Sequence, residues 1–310
     1  MGSAGVFVFA GECIMTENKK FLRSDFAFDL IVNILGAIII ILVMVPLIFV
    51  VAASFSDPDL VLKGKVLLFP KGFTTKAYSM VFQNQDIWKG FRNSIFYTLA
   101  GTFISMVLTV MAAYPLSRKG LPFKNAIMML ILFTMYFSGG MIPTYLLVKD
   151  LGMYDTVWAL LIPNAISTYN LIVAKTSFQN SIPQELYESA ELDGCGSWNM
   201  LYKIVLPLSK AILAVLILYY AVAIWNAYFD ALIYLRNTDL EPLQIELRNI
   251  LLLGQTEQMG TNDVGMADKI KMAEAVKYSA IVISSIPMVL IYPFVQKYFV
   301  KGVMIGAVKG

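Results

Sequence analysis

The apolar residues of the chain are gathered into six long runs separated by shorter polar segments. Each run is long enough for a helix that crosses a hydrocarbon core of about 30 Å, which takes ~20 residues. Because lipid offers the backbone no hydrogen-bonding partner, segments that cross it are expected to be helical. The sequence therefore predicts an all-α, polytopic membrane protein. The six predicted spans are residues 29–54, 93–116, 125–148, 156–178, 204–235 and 276–299.

Lysine and arginine residues in the polar segments predict the orientation of these spans. Basic residues of short segments are retained on the cytoplasmic side. They cluster before the first span, between the second and third spans, and after the last span. The N-terminal segment 1–28 and the tail 301–310 are therefore expected in the cytoplasm, and the loop 236–275 outside. The basic residues are Lys19, Lys20, Arg23, Arg118, Lys119, Lys124, Lys297, Lys301 and Lys309.

The composition agrees with a lipid environment and excludes several kinds of site. Hydrophobic residues make up 58% of the chain and charged residues 15%, against about 45–50% and 25% in soluble domains. The chain has no histidine, which excludes histidine-based catalytic triads and most zinc sites. Cys13 and Cys195 both fall on the predicted cytoplasmic side, where we expect them reduced and unpaired. We predict no catalytic residue and no metal site.

The predicted cytoplasmic segment 179–207 is longer than an ordinary connection between helices. Ser181 is predicted to be the N-cap of a short helix that carries Pro183 in its first turn. Gly194 is expected to end that helix, and a second helical piece starts near Ser197.

Residues in this segment resemble the EAA loop of membrane subunits of ATP-binding-cassette importers. Glu188-Ser189-Ala190 is followed after three residues by Gly194 and, after nine more, by Ile204, with Leu206-Pro207 at the end. The one departure from the motif is Ser189, where the family has alanine. The pair Trp225-Asn226 and the ending Val300 to Gly310 resemble the maltose-type carbohydrate branch. They resemble most the permeases for complex and acidic oligosaccharides, such as alginate and pectin fragments.

This resemblance implies a type I importer permease fold, with residues 29–300 forming the six-helix membrane domain and both termini in the cytoplasm of a bacterial cell. It implies no catalysis by this chain, because ATP and Mg²⁺ belong to two separate ATPase subunits. The other implied partners are a second, related permease and an extracellular solute-binding lipoprotein that delivers the oligosaccharide. Residues implied to contact the ATPase subunits are Glu188, Ser189, Ala190, Asp193 and Gly194 in the loop, and Lys301, Gly302 and Gly306 in the tail.

Polar residues inside the predicted spans are candidates for a sugar pathway. Tyr219, Asn226 and Asp230 are spaced by seven and four residues, so a continuous helix would place them on one stripe. A carboxylate at membrane depth should face a cavity or a polar partner. The alternatives are hydrogen bonding between helices, or Asp230 reaching the outer interface. Trp225 is either a pathway residue or an aromatic of the membrane interface.

Two further positions in the spans have both a functional and a packing interpretation. Asn164, close to Pro163, is consistent with a broken helix beside a cavity, although small polar residues also join helices together. For Gly139-Gly140 in the third span, close packing is favoured over a binding element.

In the loop 236–275, apolar residues at helical spacing predict an amphipathic surface helix over 243–251. The polar stretch 254–271 has no apolar period and is expected to be flexible.

Three other functions are weighed against an oligosaccharide importer subunit. An intramembrane enzyme would need acid or nucleophile–base pairs at membrane depth. An ion-coupled carrier would need several intramembrane carboxylates and internal repeats, and Asp230 is the single candidate. The chain also has no Gly-rich phosphate loop with which to energise transport itself. The remaining alternative is a permease of the same class for a non-carbohydrate solute.

Overall fold

The structure is a computed structural model, and it describes residues 5–256, 273–274 and 276–293. Regular secondary structure in these residues is entirely helical, as the sequence predicts. The chain divides into two compact units, residues 1–74 and residues 75–310.

The first unit contains one long helix followed by a compact turn. Helix α1 (Gly5–Ser54) has an apolar part, Phe28–Ser54, with a mean hydropathy of 3.3, which confirms the first predicted span as a helix. After it, α2 (Pro58–Leu62) is capped by Asp57, whose carboxylate accepts the N–H of Asp59 at 2.9 Å. The backbone N–H of Asp57 donates to the carbonyl of Lys71 at 3.0 Å, which closes this turn.

The second unit is built around one helix that packs against several others. Helix α4 starts at a cap formed by Asn84, whose side chain accepts the N–H groups of Asp86 and Ile87. This cap explains why α4 begins earlier than the predicted span 93–116. Helix α4 packs against α8, α12 and α14. The helices are α3 (Lys76–Gln83), α4 (Gln85–Ser117), α5 (Lys124–Tyr136), α6 (Met141–Asp150), α7 (Trp158–Leu161), α8 (Thr168–Ser181), α9 (Gln184–Leu192), α10 (Ser197–Met200), the π-helical segment Leu201–Val205, α11 (Leu206–Leu208), α12 (Lys210–Asn226), α13 (Phe229–Tyr234), α14 (Leu243–Thr256) and α15 (Val276–Pro293).

The third predicted span is broken between α5 and α6, which are bent by 112°. Gly140, the residue just before α6, has a φ of 89°, a conformation that glycine adopts without strain. A side chain at Gly139 would meet just Pro143, at 3.6 Å, and one at Gly140 would meet nothing within 4 Å. These glycines therefore make no close helix contact within the described part of the chain, and the expectation that they serve close packing against another subunit stays a prediction.

The fourth predicted span is also broken. Helix α7 ends before Pro163, and α8 begins after Ser167, whose hydroxyl accepts the N–H of Asn170. The broken helix that Pro163 suggested is thus confirmed. Joining of helices by small polar residues also occurs here, since the hydroxyls of Thr134 and Thr168 lie 3.4 Å apart.

The fifth predicted span, residues 204–235, is not one helix. The helical segment Ser197–Leu208 and helix α12 meet at an angle of 84°. The bend lies at Ser209, between α11, which contains Pro207, and α12. A second break follows Asn226, so α13 is separate from α12. Backbone groups freed at such breaks need partners from neighbouring helices.

Three helices in the described part of the chain are long and apolar enough to cross a membrane, and up to five spans result if each bent pair counts as one. The fourth predicted span forms two shorter helices, α7 and α8. The count of six spans therefore stays a prediction.

The amphipathic helix predicted over 243–251 is confirmed as α14, which continues through the first residues of the stretch 254–271. Residues 257–272 lie outside the described part. Leu243 and Leu247 of α14 pack with Trp225 in a buried cluster. The N–H of Leu243 donates to the Ser94 hydroxyl of α4 at 2.9 Å, so α14 is fixed to α4 by both apolar and polar contacts.

Candidate functional site

A cavity of about 290 Å³ lies between α4, the break between α7 and α8, α12 and the start of α13. It is here called the polar cavity after the serine, asparagine, tyrosine and aspartate side chains that lie among its apolar lining. Small residues of α4 line one side, where Gly101 stands close to Ile224 and Leu161. Asn164 and Asp230 both line the cavity, and the amide of Asn164 donates a hydrogen bond to the carboxylate of Asp230 at 2.8 Å. The cavity thus combines hydroxyl, amide and carboxylate groups inside a unit that is otherwise mainly apolar.

Tyr220 lines the polar cavity and connects three of the elements around it. Its hydroxyl lies 2.6 Å from the hydroxyl of Thr109 on α4. The same hydroxyl accepts the backbone N–H of Ser167 at 3.1 Å. One phenol therefore connects α4, α12 and the N-terminus of α8, and it satisfies a backbone donor that the broken helix leaves without a helical partner.

A second cavity, here called the arginine groove, has a volume of about 580 Å³ and lies between the end of α12, α14 and α15. Trp225 is buried at its edge, where the indole N–H donates to the Ser284 carbonyl at 3.2 Å and Phe91 packs edge-on against the ring. The polar residues lining the groove are Asn226, Tyr228, Gln244, Arg248, Ser284 and Ser285.

The predicted stripe of Tyr219, Asn226 and Asp230 does not exist. The break after α12 redirects the chain, so Asn226 lines the arginine groove and Asp230 lines the polar cavity. Tyr219 is 40% exposed and lines neither cavity. The prediction failed because a spacing of four residues brings two side chains onto one face only if the helix between them is continuous. Of the other candidates, the structure brings Asn164 to Asp230, and Trp225 to the groove.

The segment with the EAA-like spacing forms α9, a bend and a second helix. Helix α9 begins after Pro183, whereas Ser181 ends α8, so the prediction of Ser181 as the N-cap is wrong. A proline at the start of a helix is favoured because its missing N–H needs no partner there. Gly194, with a φ of 74°, ends the helix as predicted, and α10 begins at Ser197.

The faces of α9 are clearly divided. Tyr187 and Ala190 are buried, while Glu188, Ser189 and Asp193 are exposed. Burial raises the pKa of Tyr187 above its ordinary value, and nearby Arg118 opposes that rise. Gly194 is exposed too, and a side chain there would meet nothing within 4 Å. The exposed face of α9 is thus available to another molecule, and the buried face fixes the helix to the rest of the unit.

Arg118 also belongs to this site, although the sequence predicted only its cytoplasmic location and not its contact with α9. Its guanidinium forms an ion pair with Glu191 of α9 and lies over the Tyr187 ring, 4.1 Å from the ring centroid. It also donates to the sulfur of Met200 at 3.1 Å. Because Arg118 directly follows α4, it connects the end of that helix with α9 and α10. The predicted contacts of the tail, Lys301, Gly302 and Gly306, lie outside the described residues.

The family model for the binding-protein-dependent transport system inner membrane component matches residues 92–305 of this chain. The chain belongs to this family. It is a membrane component of an importer of the ATP-binding-cassette class and not an enzyme. The match covers the chain from residue 92, inside α4, through α15, and it includes the residues that line both cavities and those of α9.

Two named relatives and one solved structure are similar to this chain over most of its length. It is 41% identical to the polygalacturonan/rhamnogalacturonan transport system permease protein YtcP of Bacillus subtilis, over 91% of this chain and 98% of the relative. It is 42% identical to Protein LplC of the same organism, over 89% and 91%. Among solved structures, it resembles a chain of a bacterial ABC transporter involved in the import of the acidic polysaccharide alginate. That match has a TM-score of 0.80 and 33% identity, and covers 89% of this chain and 98% of the other.

Proposed function

We propose that this chain is the permease subunit of an ATP-driven importer for an oligosaccharide that an external solute-binding protein delivers. The observation that carries the proposal is its 41% identity, over almost the full length of both chains, to a permease named for polygalacturonan and rhamnogalacturonan transport. The match to a chain of an alginate importer supports the same solute class. These relatives favour a saccharide over a non-carbohydrate solute.

The proposed assembly contains a second permease and two ATPase subunits, which hold ATP and Mg²⁺. The chain would cross the bacterial cell membrane six times, with segment 1–28 and tail 301–310 in the cytoplasm and loop 236–275 outside. The broken helices of the third to fifth spans are compatible with this count. Irregular backbone at membrane depth is tolerated where protein or a cavity surrounds it, as at the polar cavity.

We further propose that α9 transmits the closure of the ATPase subunits to the membrane helices. Its exposed face carries Glu188, Ser189 and Asp193, where a basic residue of an ATPase subunit would pair with Glu188. Gly194 would let the chain turn tightly beside that subunit, and Ala190 would hold the other face of α9 against the permease. In the tail, Lys301, Gly302 and Gly306 remain proposed contacts with the ATPase subunits.

For the solute pathway, the proposal retains Asn164 and Asp230 in the polar cavity, and Trp225 and Asn226 in the arginine groove. Amide and carboxylate groups suit sugar hydroxyls, whereas Trp225 is buried and therefore supports the wall of the arginine groove without offering its ring face to a sugar. Tyr219 is not retained, because it lines neither cavity.

The test is uptake by proteoliposomes that contain the full complex purified with its native partners. Labelled trigalacturonate should accumulate when both ATP and the binding protein are supplied, and should not accumulate without either. Gly194→Val should leave the complex assembled but reduce the amount of sugar imported per ATP hydrolysed. Uptake that needs neither ATP nor a binding protein would refute the proposed function.

A further inference from the structure

Arg248 projects from α14 into the arginine groove, which it shares with Asn226 of α12 and with Ser284 and Ser285 of α15. The residue is partly buried. Among the described residues it makes neither an ion pair nor a hydrogen bond. The acidic residue near it in sequence, Glu246, interacts electrostatically with Glu241, Asp86 and Lys89 instead.

A partly buried guanidinium without a counter-charge is costly, because part of its hydration is lost and nothing replaces it. Its planar array of N–H donors matches the two oxygens of a carboxylate. A carboxylate-bearing ligand in the groove would supply the missing partner. The groove volume, about 580 Å³, lies within the roughly 300–1,000 Å³ typical of small-molecule sites.

The rest of the groove is suited to a sugar that carries such a carboxylate. Asn226 and Gln244 offer amide donors and acceptors for hydroxyl groups. Leu247, Leu251 and Met288 provide an apolar wall. A neutral, purely apolar ligand would leave the guanidinium unpaired, and an inorganic anion would leave the apolar wall uncovered.

We propose that the arginine groove is a uronate subsite, in which Arg248 binds the carboxylate of an acidic oligosaccharide during its passage. The inference rests on the proposed function and refines it, because it names the substrate class and the residue that recognises it. It predicts that the permease itself, and not just the binding protein, distinguishes acidic from neutral sugars.

The test measures binding to the purified complex in nanodiscs without the binding protein, whose own selectivity would otherwise dominate. The probes are trigalacturonate and its carboxyl-reduced, neutral trisaccharide, titrated at constant ionic strength. Wild-type complex should bind the acidic probe more tightly than the neutral one. Arg248→Gln should weaken binding of the acidic probe by about tenfold or more, the usual effect of losing a hydrogen bond between charged groups, and leave binding of the neutral probe unchanged.

Two variants make the result specific. Arg92→Gln removes the same charge from an exposed position of α4 that lines neither cavity, and should bind both probes like the wild type. Arg248→Lys keeps the charge but loses the planar pair of donors, so its affinity for the acidic probe should lie between those of the wild type and Arg248→Gln. It also provides a measurement if Arg248→Gln fails to assemble.

Equal affinity of the wild type for both probes would overturn the subsite, as would equal losses for the two probes in Arg248→Gln. The proposed function would survive either result if ATP-dependent uptake of trigalacturonate with the binding protein persists. If the wild type took up neither trigalacturonate nor its neutral analogue in the presence of ATP and the binding protein, the proposed function would be overturned instead.

Discussion

Tyr220 shows how a single buried side chain holds a helix break in place. Its hydroxyl is shared between Thr109 of α4 and the backbone N–H of Ser167. Nothing in the sequence distinguishes it among the 16 tyrosines of the chain. Both of its hydrogen-bonding partners are more than fifty positions away in the sequence. Their contact with Tyr220 therefore appears only in the folded unit.

The pair of Asn164 and Asp230 gives the first prediction at the residue scale. Asn164→Leu removes the amide that donates to the carboxylate at 2.8 Å and places an apolar side chain in the polar cavity. We expect the uptake rate at limiting sugar to fall by about tenfold, as for the loss of one hydrogen bond to a charged group. The measurement is initial uptake by proteoliposomes, normalised to assembled complex.

Tyr219→Phe serves as the control for that variant, because Tyr219 was predicted on the same stripe but lines neither cavity. Its uptake should match the wild type. If Asn164→Leu also transports normally, the pair holds the helices together and does not contact the solute.

Glu246 gives a prediction about pH. Burial, together with the charges of Glu241 and Asp86, raises the pKa of Glu246 above its ordinary value of 4.5. The folded state therefore holds this proton more tightly than the unfolded state, and the associated stability is lost as pH rises through the folded pKa. Wild-type Tm should fall from pH 4.5 towards neutral pH. Glu246→Gln should show a smaller fall and a higher Tm at pH 7.5.

Thermal unfolding of the detergent-solubilised chain across that range measures this effect. Glu185→Gln removes one carboxylate from an exposed position on α9 and should keep the wild-type dependence on pH. An unchanged pH dependence in Glu246→Gln would show that other groups are responsible.

At the scale of elements, α4 carries two glycines at close contacts of different kinds. A Cβ at Gly90 would lie 3.0 Å from the Leu243 Cα, in the backbone of α14. A Cβ at Gly101 would lie 2.8 Å from the Cδ1 methyl of Ile224. A backbone has to move as a whole, whereas the end of a side chain can rotate away. Helix α14 thus depends on Gly90 more than α12 depends on Gly101.

We therefore expect Gly90→Ala to lower the free energy of unfolding by about 1–3 kcal/mol, as overpacking commonly does. Gly101→Ala should be close to neutral, because alanine favours a helix over glycine by ~1 kcal/mol and offsets the local adjustment. Thermal unfolding of both variants in the same detergent makes the comparison. Equal losses would mean that α14 moves as easily as one side chain.

At the scale of the whole molecule, Arg118 connects the C-terminal end of α4 with α9, the proposed contact of the ATPase. Helix α4 lines the polar cavity farther from that end, through residues between Ser94 and Ser105. Arg118→Met removes the ion pair to Glu191 and the cation over Tyr187. We expect the complex to assemble and hydrolyse ATP but to import several-fold less sugar per ATP. The measurement is the ratio of uptake to phosphate release in the same proteoliposomes.

Lys119→Met is the matched control, because it removes one positive charge from the next position, which is exposed. Its coupling ratio should stay close to that of the wild type. A normal ratio in Arg118→Met would separate α9 from α4 functionally and remove Arg118 from the transmission of closure.

The sequence by itself determined the class of the molecule, because apolar runs long enough to cross lipid have to be helical. It also located α14, from its apolar period, and the end of α9 at Gly194, since both are decided by neighbouring residues. The resemblance carried by Glu188 to Pro207 gave the family, which the match over residues 92–305 shows.

The tertiary structure alone decided where the predicted spans break and which polar residues meet. Pro163 indicated one break in the sequence. The breaks after Tyr136, at Ser209 and after Asn226 are tolerated only because neighbouring helices offer partners to the freed backbone groups. For the same reason Asp230 meets Asn164 and not Asn226. Arg248, an ordinary residue of an amphipathic helix in the sequence, faces a cavity because α12 and α15 pack beside it. Hydrophobicity is a property of each residue along the chain, whereas a cavity is made by segments that are distant in sequence.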